Sequence, residues 1–226
     1  MPTKRLFIPD DFMSYPKKID KNVRLLQYTN ASTEENFDAF LTHHVLVYIL
    51  SGVKHIKVSN SHFCINSGEL FLIPRGEYVM SEYITGKNGF QSMMLFFNQK
   101  VATNVLEGLN DRIPEICMKP KKKEAIKIIS PNPAIGELFR SLEIYSKEEA
   151  MFLVEIARLK FMELIYLLLD SSYRNMILAF LRDAARYEIP SVSTVLDQHL
   201  YSPLTVEELA KLSGRSLSTF KREFTL

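Results

Sequence analysis

The chain has 226 residues, of which 46% are hydrophobic and 24% are charged, and its formal net charge is +2. This length and composition predict a folded protein with one large and one small domain, and they exclude an intrinsically disordered chain. The net charge is too small to indicate nucleic-acid binding, since a phosphate-binding surface depends on clustered rather than average charge.

No signal for secretion or for a membrane is visible in the sequence. Residues 1–11 lack an apolar run of signal-peptide length, and the most apolar stretch, 161–169, is interrupted by Glu163. The two cysteines, Cys64 and Cys117, form neither a CxxC pair nor a disulfide framework, so we expect reduced, partly buried thiols. These features predict a cytoplasmic protein.

Residues 23–98 alternate short apolar runs with turn residues, which is typical of strands and hairpins. Several short strands at this spacing favour a barrel or a sandwich, and we expect a cupin-like β-barrel domain over residues 1–130. The strand 53–58 alternates most cleanly, with one face made of Val53, His55 and Lys57 and the other of Lys54, Ile56 and Val58. The other predicted strands are 23–29, 44–50, 69–73 and 90–97.

Residues 131–188 change to the helical period of 3.6 residues and are predicted to form a separate helical region. Its longest helix, 149–169, has an apolar stripe with further leucines beside it, and so wide an apolar surface needs two partners. One partner is the rest of its own domain, and the other is either more of that core or the same helix of a second subunit. The candidate dimer contacts are Phe152, Leu153, Ile156, Lys160, Glu163, Leu164 and Leu167.

Residues 205–224 show the pattern of a helix, a turn and a second helix. Thr205 and Glu208 have the spacing of a capping box, Ala210 suits a close helix crossing, and Gly214 suits the turn. The predicted small core contains Leu209, Leu212, Phe220 and Phe224, which leaves Ser218, Thr219, Lys221 and Arg222 on the outer face. An ordinary amphipathic helical hairpin would also have a polar outer face, so this motif is not decisive by itself.

The preceding helix, 191–201, and the segment Pro203-Leu204-Thr205 make the pattern more specific. Together with Glu-Glu-Leu-Ala at 207–210 and Ser-x-x-x-Phe-x-x-x-Phe at 216–224, this part of the chain resembles the DNA-binding domain of the AraC/XylS family. The resemblance covers residues 191–226. It implies that base edges are contacted by Ser218, Lys221 and Arg222, and phosphates by Ser216 and Thr219.

The chain departs from the AraC/XylS pattern in two places. Arg215 occupies a turn position that the family usually fills with an apolar residue, so we expect it to reach a backbone phosphate instead. The resemblance also implies a second helix–turn–helix motif after the first, so we expect residues 189–226 to be the first half of a truncated DNA-binding domain.

The segment from Gly68 to Gly76 resembles the second cupin motif, with five residues and then Pro-x-Gly after the first glycine. Metal-binding cupins have a histidine three residues after the last glycine, where this chain has Val79. Their earlier His-x-His motif is replaced here by His43-His44, whose side chains alternate faces. We therefore expect no metal, no cofactor and no catalytic residues. A cupin-type metal enzyme is less favoured than either of the two regulatory interpretations given below.

The segments 67–76 and 159–165 are similar, more loosely, to the branch of AraC/XylS regulators that controls type III secretion. This resemblance implies that a protein partner controls the barrel and that the helices mediate self-association, and it leaves a small-molecule effector open. The favoured prediction is a homodimeric transcription activator that binds promoter DNA and recruits RNA polymerase. The alternative is a sensor and dimerisation module without DNA binding of its own.

Overall fold

The structure is a computed structural model that describes residues 5–12, 22–58, 60–85, 89–109, 126–130, 132–148 and 150–224. Within these ranges the chain forms two compact units, 1–186 and 187–226. Cys117 and the lysine cluster 119–123 lie outside the described residues.

In the described residues of the first unit there are two five-stranded sheets, four α-helices and a short 3-10 helix, Asp10–Phe12. One sheet, the outer sheet, has the strand order β1-β3-β8-β5-β6, and the other, the central sheet, has the order β10-β7-β4-β9-β2. The strands are β1 (Arg5–Ile8), β2 (Val23–Asn30), β3 (Glu34–Leu41), β4 (His44–Ser51), β5 (Val53–Val58), β6 (Ser61–Asn66), β7 (Leu70–Ile73), β8 (Gly76–Tyr83), β9 (Phe90–Phe97) and β10 (Lys127–Ile129). The helices are α1 (Gln99–Leu109), α2 (Pro133–Lys147), α3 (Leu153–Leu169) and α4 (Arg174–Ala185).

The predicted class, α+β, is confirmed, but the prediction of a closed barrel is wrong. Neighbouring strands are antiparallel except for the parallel pair β1 and β3, and no described strand of one sheet pairs with a strand of the other. The sheets therefore form a sandwich rather than a barrel, because side-chain packing between the two inner faces replaces the hydrogen bonds that would close the sheet.

The middle strands of the central sheet, β7, β4 and β9, are buried on both faces. On β9, Met94 and Phe96 pack toward the outer sheet, whereas Met93, Leu95 and Phe97 belong to the core shared with the helices. A strand covered on both sides reads as a nearly continuous apolar run, which explains the composition of residues 90–97. The first unit thus has three layers: the outer sheet, the central sheet and the helices.

Local sequence signals set the start of α2 but not the start of α3. Asn132 caps α2, because its side-chain oxygen accepts hydrogen bonds from the backbone N–H groups of Ala134 and Ile135, at 2.9 Å and 3.4 Å, and Pro133 occupies the first turn. α3 begins at Leu153, later than the predicted start at residue 149. No helix in the described part of the chain is long and apolar enough to cross a membrane.

The second unit consists of α5 (Val192–His199), α6 (Val206–Leu212) and α7 (Leu217–Phe224). The predicted capping box is confirmed: the Thr205 hydroxyl accepts from the Glu208 N–H at 3.2 Å, and the Glu208 carboxylate accepts from the Thr205 N–H at 2.7 Å. Gly214 makes the turn with φ of 64°, in the left-handed region that favours glycine.

The core of the second unit is small. It is built from Val192, Ala210 and Phe220, with two leucines at its edge. The prediction that Phe224 belongs to this core is wrong, because 62% of the residue is exposed. Its ring stacks at 6.4 Å on the outer side of Phe220, which already fills the space between the helices.

Candidate functional site

The exposed side of α7 is the first candidate site. Phe220 is 1% exposed and fixes the inner side of the helix, while Ser218, Lys221 and Arg222 are exposed on the other side. A hydroxyl, an ammonium and a guanidinium on one helix face can donate hydrogen bonds to base edges and phosphates. The structure therefore places the three predicted base-contacting residues together on one surface.

Ser216 and Thr219 lie at the start of α7. The Ser216 hydroxyl accepts from the Thr219 N–H at 3.2 Å and caps the helix, and it also donates to the Thr219 hydroxyl at 2.9 Å. Ser216 is exposed and Thr219 is half-buried. These two side chains therefore have a structural role at the helix start, and the predicted phosphate contacts remain a prediction.

Arg215 is held by the second unit itself, contrary to the expectation that it reaches toward phosphate. Its Nε donates to the Glu223 carboxylate at 2.6 Å, and its Nη1 donates to the carbonyl oxygens of Pro190 and Ser213, both at 2.8 Å. The side chain is 20% exposed. These bonds connect Pro190, just before α5, with Ser213 in the α6–α7 turn and with Glu223 near the end of α7. We therefore assign Arg215 a structural role.

The outward face of α3 is the second candidate site. Leu159 is 71% exposed, Phe152 is 60% exposed and Tyr166 is 48% exposed, although all three are large and apolar or aromatic. Met151, at 88% exposure, extends this face at the start of the helix. We call this surface the α3 face; an exposed apolar stripe of this kind marks an interaction site.

The predicted dimer contacts divide between the α3 face and the core. Leu164 is fully buried and packs with Phe161 inside the first unit, so its assignment to a dimer surface is wrong: it points to the side of the helix that the sheet covers. Leu153, Ile156 and Leu167 are half-buried at the borders of the α3 face. The half-buried Lys160 and the exposed Glu163 form an ion pair at 2.9 Å beside it.

The cavity between the two sheets is the third candidate site, and it was not among the sites predicted from the sequence. The cavity is small, is lined mostly by apolar side chains, and contains the Lys54 and Glu82 side chains. These two side chains are only 5% and 1% exposed and form a buried ion pair. The signal in the sequence was the alternation in residues 53–58, which puts Lys54 on the same face as Ile56.

Polar neighbours surround the buried pair. The Lys54 ammonium donates to the Glu82 carboxylate, which also accepts from the Tyr28 hydroxyl at 2.9 Å and from the Asn30 amide at 3.2 Å. Burial lowers the pKa of Lys54, and the Glu82 charge opposes that shift. Burial and the same carboxylate raise the pKa of the Tyr28 hydroxyl. The site therefore holds one fixed charge pair inside an apolar cavity.

Ser92 adds a further polar group to the same cavity. Its hydroxyl is completely buried and has no hydrogen-bond partner among the described residues. A buried polar atom without a partner costs free energy, and a ligand that supplies one regains it. The cavity thus combines an apolar lining with a buried hydroxyl that an added hydrogen-bonding group could satisfy.

His43 and His44, which stand in place of the His-x-His motif of metal-binding cupins, make structural contacts inside the first unit. His44 Nδ1 accepts from the Arg75 N–H at 3.3 Å, and His43 Nδ1 lies 3.0 Å from the Thr42 hydroxyl. Burial lowers the pKa of each to about 4, so both are neutral at pH 7. In the described ranges, no group of three His, Cys, Asp or Glu side chains is arranged to hold a metal ion.

The family to which the chain belongs follows from residues 44–180. They match a sequence profile described as the ExsA N-terminal regulatory domain, which spans more than half of the chain. The chain belongs to the ExsA N-terminal regulatory domain family. This membership confirms the predicted resemblance to AraC/XylS regulators and to their type III secretion branch, and it identifies the chain as a transcription regulator.

Solved structures give weaker similarities to this member of the ExsA family. Apo ToxT from Vibrio cholerae is 12% identical, with 92% of this chain and 94% of that chain covered and a TM-score of 0.45. The AraC-like transcriptional activator CuxR is 14% identical over 90% of this chain and 70% of its own, with a TM-score of 0.37. An RmlC-like cupin from Shewanella frigidimarina is 14% identical over 35% and 68% of the two chains, with a TM-score of 0.29. A search of curated proteins found no match.

Proposed function

We propose that this regulator acts in the cytoplasm by binding promoter DNA through α7, as a homodimer formed through the α3 face. The observation that carries the proposal is the arrangement of α7, on which Phe220 is buried while Ser218, Lys221 and Arg222 share the exposed side. A helix anchored in this way by its neighbours can enter the major groove without losing its own packing.

The chemistry of these three side chains suits both parts of DNA recognition. Arg222 can bind a guanine edge with two hydrogen bonds, which contributes about 1–3 kcal/mol of discrimination against other bases. Lys221 neutralises phosphate or donates to a base, and Ser218 reaches either group. Glu223 is engaged by Arg215 at 2.6 Å, so this carboxylate is drawn toward the turn and away from the basic pair.

A single helix–turn–helix contacts few phosphates, so we expect the regulator to bind DNA as a dimer. The α3 face is the proposed dimer surface. Affinity for DNA grows with the number of phosphates neutralised, and two linked copies contact two half-sites. The α3 face is apolar, is exposed on the first unit, and has the Lys160–Glu163 ion pair at its border. Pairing this face with its copy in a second subunit removes its apolar side chains from water.

Control of the regulator is assigned to the first unit. The cavity with Lys54, Glu82 and Ser92, whose hydroxyl has no hydrogen-bond partner in the described part of the chain, is the proposed contact for a small effector, and a regulatory protein is the second possible input. Either input would shift the population of a DNA-binding form, and the dimer on DNA would then recruit RNA polymerase to activate transcription.

Affinity for duplex DNA in variants of α7 tests this proposal. Arg222→Ala is expected to weaken binding to the preferred sequence by about 1–3 kcal/mol, or roughly 5-fold to 150-fold, and to relax base preference at one position. Lys221→Ala is expected to weaken binding to all sequences and to reduce its salt dependence. Fluorescence anisotropy at several salt concentrations measures both effects.

The matched control is Lys147→Ala, which removes an equal charge from the exposed end of α2. This control is expected to bind like the unmodified chain. Binding that responds equally to all three substitutions would show only general attraction to DNA. If neither the unmodified chain nor any variant binds DNA, the result would favour the alternative function, a sensor and dimerisation module that does not bind DNA.

A further inference from the structure

Three side chains capable of acid–base and nucleophilic chemistry lie together on the exposed face of the outer sheet, away from the cavity. His55 on β5 is directly opposite Cys64 on β6 in the strand register, and His62 precedes Cys64 by two residues on the same face. Cys64 and His62 are exposed and His55 is half-buried. The expectation of a partly buried Cys64 is therefore wrong, since its side chain points outward from the edge strand.

The three side chains contact one another in series, with His55 between Cys64 and His62. Cys64 Sγ lies 3.5 Å from His55 Nε2, and His55 Nδ1 lies 3.0 Å from His62 Nε2. The ring of Tyr83 packs edge-on against His55, with ring centroids 4.8 Å apart. Each ring nitrogen of His55 thus faces a different partner, and the hydrogen bond on one nitrogen determines which nitrogen carries the proton.

The position of His55 between the other two side chains lets it act as a base toward the Cys64 thiol. When His55 Nδ1 donates its proton to His62, the lone pair of His55 Nε2 points at the Cys64 thiol. A nucleophile, a base and a third group that orients the base are the arrangement that activates thiols. Burial, and then the charges of His62 and Lys57, lower the pKa of His55, so the ring is in the neutral form that a base requires.

We propose that Cys64 is a redox modification site, at which hydroperoxides oxidise the thiol to a sulfenic acid with His55 as the base and His62 as a positioning residue. His55 Nε2 takes the thiol proton while the sulfur attacks the terminal peroxide oxygen. The O–O bond breaks, and the leaving alkoxide receives the proton from His55. The sulfur is oxidised by two electrons and the peroxide is reduced to an alcohol, or to water for hydrogen peroxide.

The location of the site connects it to the cavity. β5 carries His55 on its outer face, and its neighbours Lys54 and Ile56 are buried on the inner face. Oxidation would replace the thiol by a larger polar group against the strand that holds the buried ion pair. The site is a second input to the first unit, and it does not depend on the proposed DNA contact.

The test uses the full chain with Cys117→Ser, which leaves Cys64 as its remaining thiol. The rate of alkylation by iodoacetamide is measured as a function of pH, and sulfenic acid formed by hydrogen peroxide is trapped with dimedone and weighed by mass spectrometry. Because a free thiol is only a few per cent thiolate at pH 7, we expect about a 10-fold faster reaction than in the urea-unfolded chain. The rate should rise with the titration of a histidine.

His55→Gln is expected to lower the rate to that of the unfolded chain and to remove its dependence on the titration of a histidine. His62→Gln should give a smaller loss, since it removes only the orienting group. His199→Gln, in the second unit, is the matched control and should change nothing. Equal rates in the folded and unfolded chains, or no effect of His55→Gln, would overturn the proposal. A rate that increases on addition of a chelator would also overturn it, because the cluster would then be a metal site.

Discussion

Glu82→Leu is expected to lower the free energy of unfolding by about 3–5 kcal/mol, since it leaves a buried ammonium without its main anionic partner. Lys54 is 5% exposed on its side chain and lies between the two sheets, where water cannot replace the lost carboxylate. The Tyr28 hydroxyl and the Asn30 amide lose the acceptor that they share as well. Urea-induced unfolding, followed by the linear extrapolation of the free energy, measures the loss.

The double variant Lys54→Met/Glu82→Leu separates the charge from the packing. Replacing both members of a buried pair by apolar groups of similar size is often close to neutral, so the double variant should regain most of the stability lost in Glu82→Leu. Glu77→Leu, at an exposed position on the same strand, is the control and should stay within about 0.5 kcal/mol. A double variant no more stable than Glu82→Leu would contradict the view that an unpaired buried charge causes the loss.

Leu159→Glu is expected to convert the dimer to a monomer. The residue is 71% exposed near the middle of the α3 face, so in a symmetric dimer the substitution would place two carboxylates against an apolar surface and near each other. Like charges brought together across an interface cost several kcal/mol. Sedimentation equilibrium over a range of protein concentrations measures the change in association.

The same substitution should leave the fold intact, because Leu159 is outside the buried cluster that joins α3 to the central sheet. Val206→Glu is a matched control, since Val206 is another exposed apolar residue, 49% exposed, at the start of α6. The control should remain dimeric. A strict monomer in the unmodified chain, or a dimer that survives Leu159→Glu, would remove the α3 face from the proposed assembly.

Local features of the fold could be predicted because their causes are local. The capping box at Thr205 and Glu208, the glycine turn at Gly214 and the alternation of residues 53–58 each depend on residues close in sequence. The outward placement of Lys221 and Arg222 followed from one buried position, Phe220, and the helical period.

The remaining features depend on contacts between distant segments. Lys54 and Glu82 meet because β5 pairs with β8 in one register, and no rule based on neighbouring residues sets that register. In α3, the period shows two apolar faces but cannot tell that Leu164 is covered and Leu159 is exposed. The closed barrel was predicted for the same reason, since strand spacing does not reveal whether the first and last strands pair.

Selection from random duplex DNA tests whether this member of the ExsA family reads DNA sequence through α7. Duplexes retained by the purified chain are expected to converge on a shared half-site, and the chain with Arg222→Ala and Lys221→Ala is expected to retain no such motif. Retained duplexes without a common sequence, or the same motif from the unmodified and the doubly substituted chain, would contradict this expectation.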